Sequence, residues 1–222
     1  MNMLKIFANR TEAAQMLAHD LHEYKGRNPL ILAIPRGAVP MGKVLAQRLD
    51  GELDIVLVHK LGAPFHQECA IGAIDETGWV YINSFADEAG GTGAFLEEEK
   101  HRQLLLLRER RLRFTPHQQA IDPRGRIAIV IDDGMASGAT MIAALHTVRA
   151  RQPAELICAV PVAAPESLEQ VRPLADRIFC LLAPTGFFAV GQFYRDFRQV
   201  EDEEVIALLS RNHKDEKSGT HP

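Results

Sequence analysis

The stretch Ile127-Ala128-Ile129-Val130-Ile131-Asp132-Asp133-Gly134-Met135-Ala136-Ser137-Gly138-Ala139-Thr140 runs from five apolar residues through two carboxylates and a small-residue loop into helical spacing. A short, continuously apolar run suits a strand buried on both faces, since neither face of a sheet covered by helices meets water. Small residues let backbone N–H groups close around an anion, and a helix start at the end of the loop adds a favourable dipole. Ser137 and Thr140 bring hydroxyl donors, so the loop suits a phosphate monoester. Asp132 and Asp133 would repel that phosphate unless they face sugar hydroxyls and a divalent cation. An ordinary strand-to-helix turn capped by the aspartates is the plain alternative.

Outward from this segment the same alternation repeats. Residues 30–34, 55–58, 156–160 and 178–182 are further short apolar runs, and helical spacing follows over residues 39–49, 140–150 and 166–171. Asn9-Arg10-Thr11-Glu12 offers a side-chain cap with an acid three residues on, opening an amphipathic helix towards Tyr24. The pattern predicts an α/β fold, an open, mainly parallel twisted sheet flanked by helices, with right-handed crossovers. Glycines and prolines interrupt it over about 61–115, which reads as an inserted lid with a hairpin strand at residues 79–82 and a long helix over 95–114. Lys100, Arg102, Arg108, Arg110, Arg111 and Arg113 crowd that helix. Leu104 to Leu107, Leu112 and Phe114 give it an apolar face, so its charges read as a solvated face, with a basic lid as the alternative. One domain over 1–212 is expected, with a small hood over about 184–200 and a polar, frayed tail over 213–222.

Composition narrows the function. The 222 residues carry 25 Lys and Arg against 29 Asp and Glu, a net charge of -4, so bulk attraction to nucleic acid or anionic lipid is not expected. The start at Met1 has no sustained apolar run and no window is long and apolar enough to span a bilayer, so a cytoplasmic location is expected. Cys69, Cys158 and Cys180 show no Cys-x-x-Cys spacing and read as ordinary thiols, two of them buried. There is no Gly-x-Gly-x-x-Gly after the first strand and no Walker-type lysine loop, which speaks against a Rossmann-type nucleotide enzyme.

The segment from Val130 to Thr140 resembles the phosphoribosyl pyrophosphate (PRPP) signature of type I phosphoribosyltransferases. The resemblance implies that Asp132 and Asp133 hold the ribose hydroxyls, with Mg2+ reached through those hydroxyls or water, while Ala136, Ser137, Gly138, Ala139 and Thr140 wrap the 5′-phosphate. Ile34-Pro35-Arg36-Gly37-Ala38 is similar to the family's pyrophosphate loop, which often carries a non-proline cis peptide. Arg36 and Gly37 would contact pyrophosphate, and Lys60, read as closing the strand from Ile55, would add a second contact. Phe187 to Phe197 is similar to a C-terminal stretch of a bacterial subgroup, and Phe188 and Tyr194 are the candidate acceptor-binding rings. Most of that aromatic cluster also reads as core. His59 and His66 are weaker candidates.

The implied activity is Mg2+-dependent transfer of 5-phosphoribosyl from PRPP to a nitrogen acceptor, with Arg36, Asp132 and Asp133 as the catalytic set. A PRPP-binding sensor without turnover is the rival. Some purine-salvage members carry an acid where this chain has Ala136, a departure that points away from hypoxanthine- or guanine-type acceptors and leaves other bases and amines open. Self-association is left open.

Overall fold

The computed structural model describes residues 6–64, 66–82, 84–91, 93–116 and 118–210, with the side chains of 66–70 and 94 outside that description. The expected tail over 213–222 and the side chains of His66 and Cys69 therefore lie outside the described residues. The chain order is α1 (Arg10–Asp20), β1 (Leu30–Ala33), α2 (Val39–Leu49), β2 (Glu52–Ile55), β3 (Val58–Ala63), β4 (His66–Asp75), β5 (Val80–Ile82), α3 (Gly93–Phe114), β6 (Ile127–Ile131), α4 (Ala139–Ala150), β7 (Glu155–Val162), α5 (Pro165–Val171), β8 (Arg177–Leu182) and α6 (Asp202–Ser210). Five strands form a parallel sheet in the order β2-β1-β6-β7-β8, as the apolar runs predicted, and β3-β4-β5 form a separate antiparallel sheet.

Alternation along the strands separates two cores. Ile31, Ala33, Ile129, Ile131, Ile157 and Ala159 pack with Leu17 of α1 and Leu45 of α2 on one face. Leu30, Leu32, Ala128, Val130, Leu156 and Cys158 pack with Leu145 of α4 and Val171 of α5 on the other. Burial on both faces explains why the strands read as unbroken apolar runs. Cys158 is buried and Cys180 half-buried, and neither forms a disulfide. No described helix is long and apolar enough to cross a membrane.

The region after β2 differs most from expectation. The predicted strand over 55–58 divides: the Val56 amide makes the last bond to β1, on the Ala33 carbonyl, and the chain then turns away to start β3. Lys60 therefore lies within β3 of the small sheet, not at the end of a core strand. β4 was hidden by its glycine, Gly72. At Gly72 a Cβ would come within 2.4 Å of the Tyr81 carbonyl, a close approach of strand to strand that only glycine permits.

The charges of α3 also need correcting. Its inward face carries Glu99, Gln103, Leu107, Arg111 and Phe114, whereas Leu105, Leu106 and Leu112 are exposed. The run of four leucines supplies no helical phase, and Arg111 is buried because it has partners there. Its guanidinium donates to Asp54 Oδ1 at 2.7 Å, to the Ile55 carbonyl at 2.8 Å and to Glu76 Oε2 at 2.6 Å. Asp54 Oδ2 also accepts from the Ile121 amide at 2.8 Å. This cluster ties the insertion to the end of β2 and to the chain re-entering the body. On the other side, Tyr81 of β5 stacks on His146 of α4, ring centres 3.8 Å apart, and Arg151 pairs with the buried Asp75 at 3.2 Å.

Candidate functional site

β1 and β6 are neighbours in the sheet, and the strand order reverses between them, since β2 lies beyond β1 and β7 beyond β6. In open α/β sheets such a switch point opens a crevice at the carboxyl ends of the strands. The loops of residues 34–38 and 132–138 leave those ends side by side, the Ile34 amide donating to the Ile131 carbonyl at 3.0 Å. The Pro35–Arg36 peptide is cis. A Cβ at Gly37 would lie 2.1 Å from Asp133 Oδ2, so the glycine lets the two loops touch.

The phosphate-type loop is anchored from β7 and α5. The Met135 amide donates to the Val162 carbonyl and the Ala164 amide to the Met135 carbonyl, both at 2.9 Å, and Ser167 Oγ donates to the Ala136 carbonyl. Gly138 has φ +73, a left-handed conformation that suits glycine, and it precedes α4 directly. The first N–H groups of α4 have no intrahelical acceptor and face the loop end of the helix. Ala136 and Ser137 are exposed, while Ala139 and Thr140 are half-buried. A helix N-terminus with exposed small residues before it can accept an anion.

The two carboxylates are not equivalent. Asp133 pairs with Arg10 at 2.7 Å, and the Arg10 Nε donates to the same oxygen at 2.9 Å. Arg10 is itself fixed by donating to the Arg198 carbonyl at 2.7 Å and by lying 4.0 Å over the Phe197 ring. The Asp133 carbonyl accepts from the Tyr194 hydroxyl at 2.6 Å. Asp132 forms no ion pair among the described residues, and its Oδ1 accepts from the Asp133 amide at 2.8 Å. Burial, then the negative charge of Asp133, pushes the Asp132 carboxyl well above the usual carboxylate range. Burial also raises Asp133, against the opposing charge of Arg10. The two adjacent carboxylates thus differ: Asp133 has a fixed counter-charge in Arg10, and Asp132 has no ion pair among the described residues.

Arg36 is half-exposed and reaches Asp202 at 3.3 Å and Glu201 at 3.6 Å, at the start of α6. Asp202 also pairs with Arg113 of α3 at 2.8 Å. The aromatic rings of residues 187–197 divide between covered and exposed positions. Phe193 and Tyr194 are buried, and Tyr194 lies between Phe7 and Phe197 at ring distances of 5.4 and 4.9 Å, so its ring faces are already covered. Phe188 is 91% exposed. Val190 in the same stretch packs closely on the loop, because a Cβ at Gly134 would meet it at 2.4 Å. Lys60 and His59 line a cavity between β3 and α3, none of whose lining residues belongs to 34–38 or 132–140.

Arg10 and α6 were missed by the sequence reading. Nothing local marks Arg10, since its partner is 123 positions away. Asp202-Glu203-Glu204 ahead of Val205, Ile206, Leu208 and Leu209 was a readable helix start, an acidic first turn before apolar residues.

The phosphoribosyl transferase domain model matches residues 2–198. Two Mycobacterium tuberculosis proteins, from strains CDC 1551 / Oshkosh and ATCC 25618 / H37Rv, carry a provisional phosphoribosyl transferase name. Each is 39% identical over 215 residues, 96% of this chain and 48% of theirs. The chain thus spans about half the length of these curated relatives. The crystal structure of TT1426 from Thermus thermophilus superposes with a TM-score of 0.84 at 38% identity, covering 93% of this chain and 98% of that one. With a strand, paired aspartates, a small-residue loop and a helix set at the switch point of a parallel sheet, this chain belongs to the phosphoribosyl transferase domain family.

Proposed function

We propose that the chain transfers 5-phosphoribosyl from PRPP to a nitrogen acceptor. The observation that carries this reading is the junction at Gly37, where the loop after β1 touches the aspartate pair after β6. One mouth can then receive a phosphate at 136–140, a ribose at 132–133 and a pyrophosphate at Arg36. The acceptor nitrogen attacks C1, the C1–O bond to pyrophosphate breaks with its electron pair on the leaving oxygen, and the acceptor N–H proton passes to solvent. Positive charge develops on the sugar and negative charge on the leaving group, so the protein's part is positioning, charge stabilisation and exclusion of water.

The residues take separate roles in this reading. Ala136, Ser137, Gly138, Ala139 and Thr140 receive the 5′-phosphate with backbone and hydroxyl donors. Asp132 and Asp133 accept from the ribose hydroxyls, Arg10 holding Asp133 in place. Arg36 exchanges its loose contacts with Glu201 and Asp202 for pyrophosphate oxygens, and Lys60 remains a proposed second contact through movement of the insertion. Phe188 is the ring free to stack on a flat acceptor; Tyr194 serves by holding the Asp133 carbonyl.

The donor set fits Mg2+ in a specific sense. Among the described residues no group of three or more metal-ligating side chains converges, so a cage made by protein alone is not built. Mg2+ is commonly held by one or two carboxylates together with substrate oxygens, and the unpaired Asp132 beside Asp133 supplies that half of a site. Bound there with PRPP, the ion would supply charge neutralisation to the pyrophosphate.

The test is a panel of bases and amines incubated with PRPP and Mg2+ and read by pyrophosphate release. Acceptor-dependent release is the expected result. Saturable PRPP binding with no release from a broad panel would replace transfer by sensing, and no PRPP binding would remove both.

A further inference from the structure

Asp202 is shared between two arginines from different parts of the fold. Its Oδ1 accepts from Arg36, in the loop after β1, at 3.3 Å, and its Oδ2 pairs with Arg113, in the last turn of α3, at 2.8 Å. Among the described residues Arg113 pairs with Asp202 alone, and Arg36 with Asp202 and Glu201. The Glu201 side chain is 62% exposed and that of Asp202 17%, so Asp202 is the partner that solvent screens less.

The two contacts of Asp202 are unequal. A charge-assisted bond from an N–H to a carboxylate usually spans about 2.7–2.9 Å, which is the length at Arg113 and not at Arg36. One carboxylate divided between two guanidiniums neutralises neither in full, and Arg113 takes the larger part. Arg36 is left at the edge of the mouth with a weak internal counter-charge. Arg113 stands two residues after Arg111, whose bonds to Asp54 and the Ile55 carbonyl tie that turn of α3 to β2. The seat of α3 on the body therefore sets the hold on Asp202, and a shift of α3 would be felt at Arg36.

We infer that Asp202 is a positioning residue: it competes with pyrophosphate for Arg36, and Arg113 sets how strongly it does so. The inference rests on the reading of Arg36 as the pyrophosphate contact. When PRPP arrives, Arg36 passes from Asp202 to the pyrophosphate oxygens, and Arg113 keeps the released carboxylate paired at the head of α6. The helix N-terminus favours an acid there as well. Without Arg113, Asp202 and Arg36 would hold each other alone, and the transfer would cost more.

Calorimetric titration of PRPP with Mg2+ against the full chain tests this. Asp202→Asn should tighten PRPP binding by about twofold to fivefold, the scale of a partly exposed ion pair, and Arg113→Met should weaken it by about twofold. A general field from the two charges would give the same signs, so two further comparisons decide. The double variant should bind PRPP as Asp202→Asn does, because Arg113 acts only through Asp202, whereas opposing field effects would cancel and return wild-type affinity. In an Arg36→Ala background neither substitution should have an effect. Thermal unfolding reports whether each variant folds, and Arg113, 60% exposed, keeps the test open if Asp202→Asn destabilises α6. Wild-type affinity in either folded single variant, a double variant that returns to wild type, or effects that persist without Arg36 would overturn the inference while leaving Arg36-dependent PRPP binding in place. No PRPP binding, or wild-type affinity in Arg36→Ala, would instead remove the reading of the loop and the inference with it.

Discussion

Two clusters of buried charge, one where the insertion meets the body and one at the mouth of the sheet, are built on opposite principles. At the junction, Arg111 is met by Asp54 and Glu76 and by the Ile55 carbonyl, and the second oxygen of Asp54 accepts from the Ile121 amide. At the mouth, Asp132 and Asp133 share one nearby arginine, and Arg10 forms its ion pair with Asp133 alone. Arg36 stands at the edge with contacts of 3.3 and 3.6 Å to α6. A matched cluster is complete within the chain and serves the fold. On the proposed reading the mismatched one is completed by a ligand from outside the chain, which is how a ligand site would differ from a structural ion pair of similar composition.

The largest effect should come from breaking the matched cluster. Arg111→Met leaves Asp54 and Glu76 buried without a counter-charge, and loss of one partner from a buried pair costs about 3–5 kcal/mol. Denaturant unfolding should show a loss of that size. A change below about 1 kcal/mol would place Arg111 among ordinary surface pairs and erase the contrast.

Arg36 should behave in the opposite way. Its exposed, loosely held contacts predict a stability change under about 1 kcal/mol for Arg36→Ala. Given an acceptor, turnover should fall by about a hundredfold and by more than PRPP affinity does, because the leaving group gains charge only as the C1 bond breaks. Comparing kcat with the calorimetric Kd decides it. Equal losses in both would make Arg36 a binding residue only.

The next effect is smaller and has an unusual sign. The folded pKa of Asp132 is raised, so the folded state holds the Asp132 proton more tightly than the unfolded chain does. Stability from this group is therefore full below the unfolded carboxylate value, about 3.9, and is lost as pH rises through the folded value. Near neutral pH the raised Asp132 is a cost to the folded state, and Asp132→Asn, which keeps an oxygen for the Asp133 amide, should raise the unfolding midpoint of the ligand-free protein. The gain should vanish at a pH below the unfolded value. A lowered midpoint at pH 7 would mean that Asp132 is a structural cap.

The smallest effect tests the hood. Phe188→Ala should leave stability within about 0.5 kcal/mol, the usual range for a surface position, while raising KM for a planar acceptor. Tyr194→Phe should lower stability by about 1 kcal/mol through loss of its bond to the Asp133 carbonyl. Reversed sensitivities would exchange the roles of the two rings.

What the sequence made legible follows from distance along the chain. β1, β6 and β7 could be read because burial on both faces leaves only apolar residues in them, and the loop of 132–140 because its strand, carboxylates, small residues and helix are consecutive. Arg111 was misread because its burial depends on partners 57 and 35 positions away. Arg10 was invisible for the same reason. β4 was hidden by Gly72, whose role is close approach to β5, and glycine in a strand reads locally as a break. The division of Asp132 from Asp133 lay beyond any local pattern, since two adjacent aspartates are identical until a guanidinium from α1 chooses one of them.

On the proposed reading PRPP with Mg2+ completes the mouth, and calorimetric titration of PRPP tests that most directly. The wild-type chain should bind PRPP in the presence of Mg2+ and about tenfold or more weaker in chelator, while Asp132→Asn, folded and more heat-stable, should lose the Mg2+-dependent gain. Wild-type PRPP affinity in Asp132→Asn, or affinity indifferent to Mg2+ in both proteins, would contradict it.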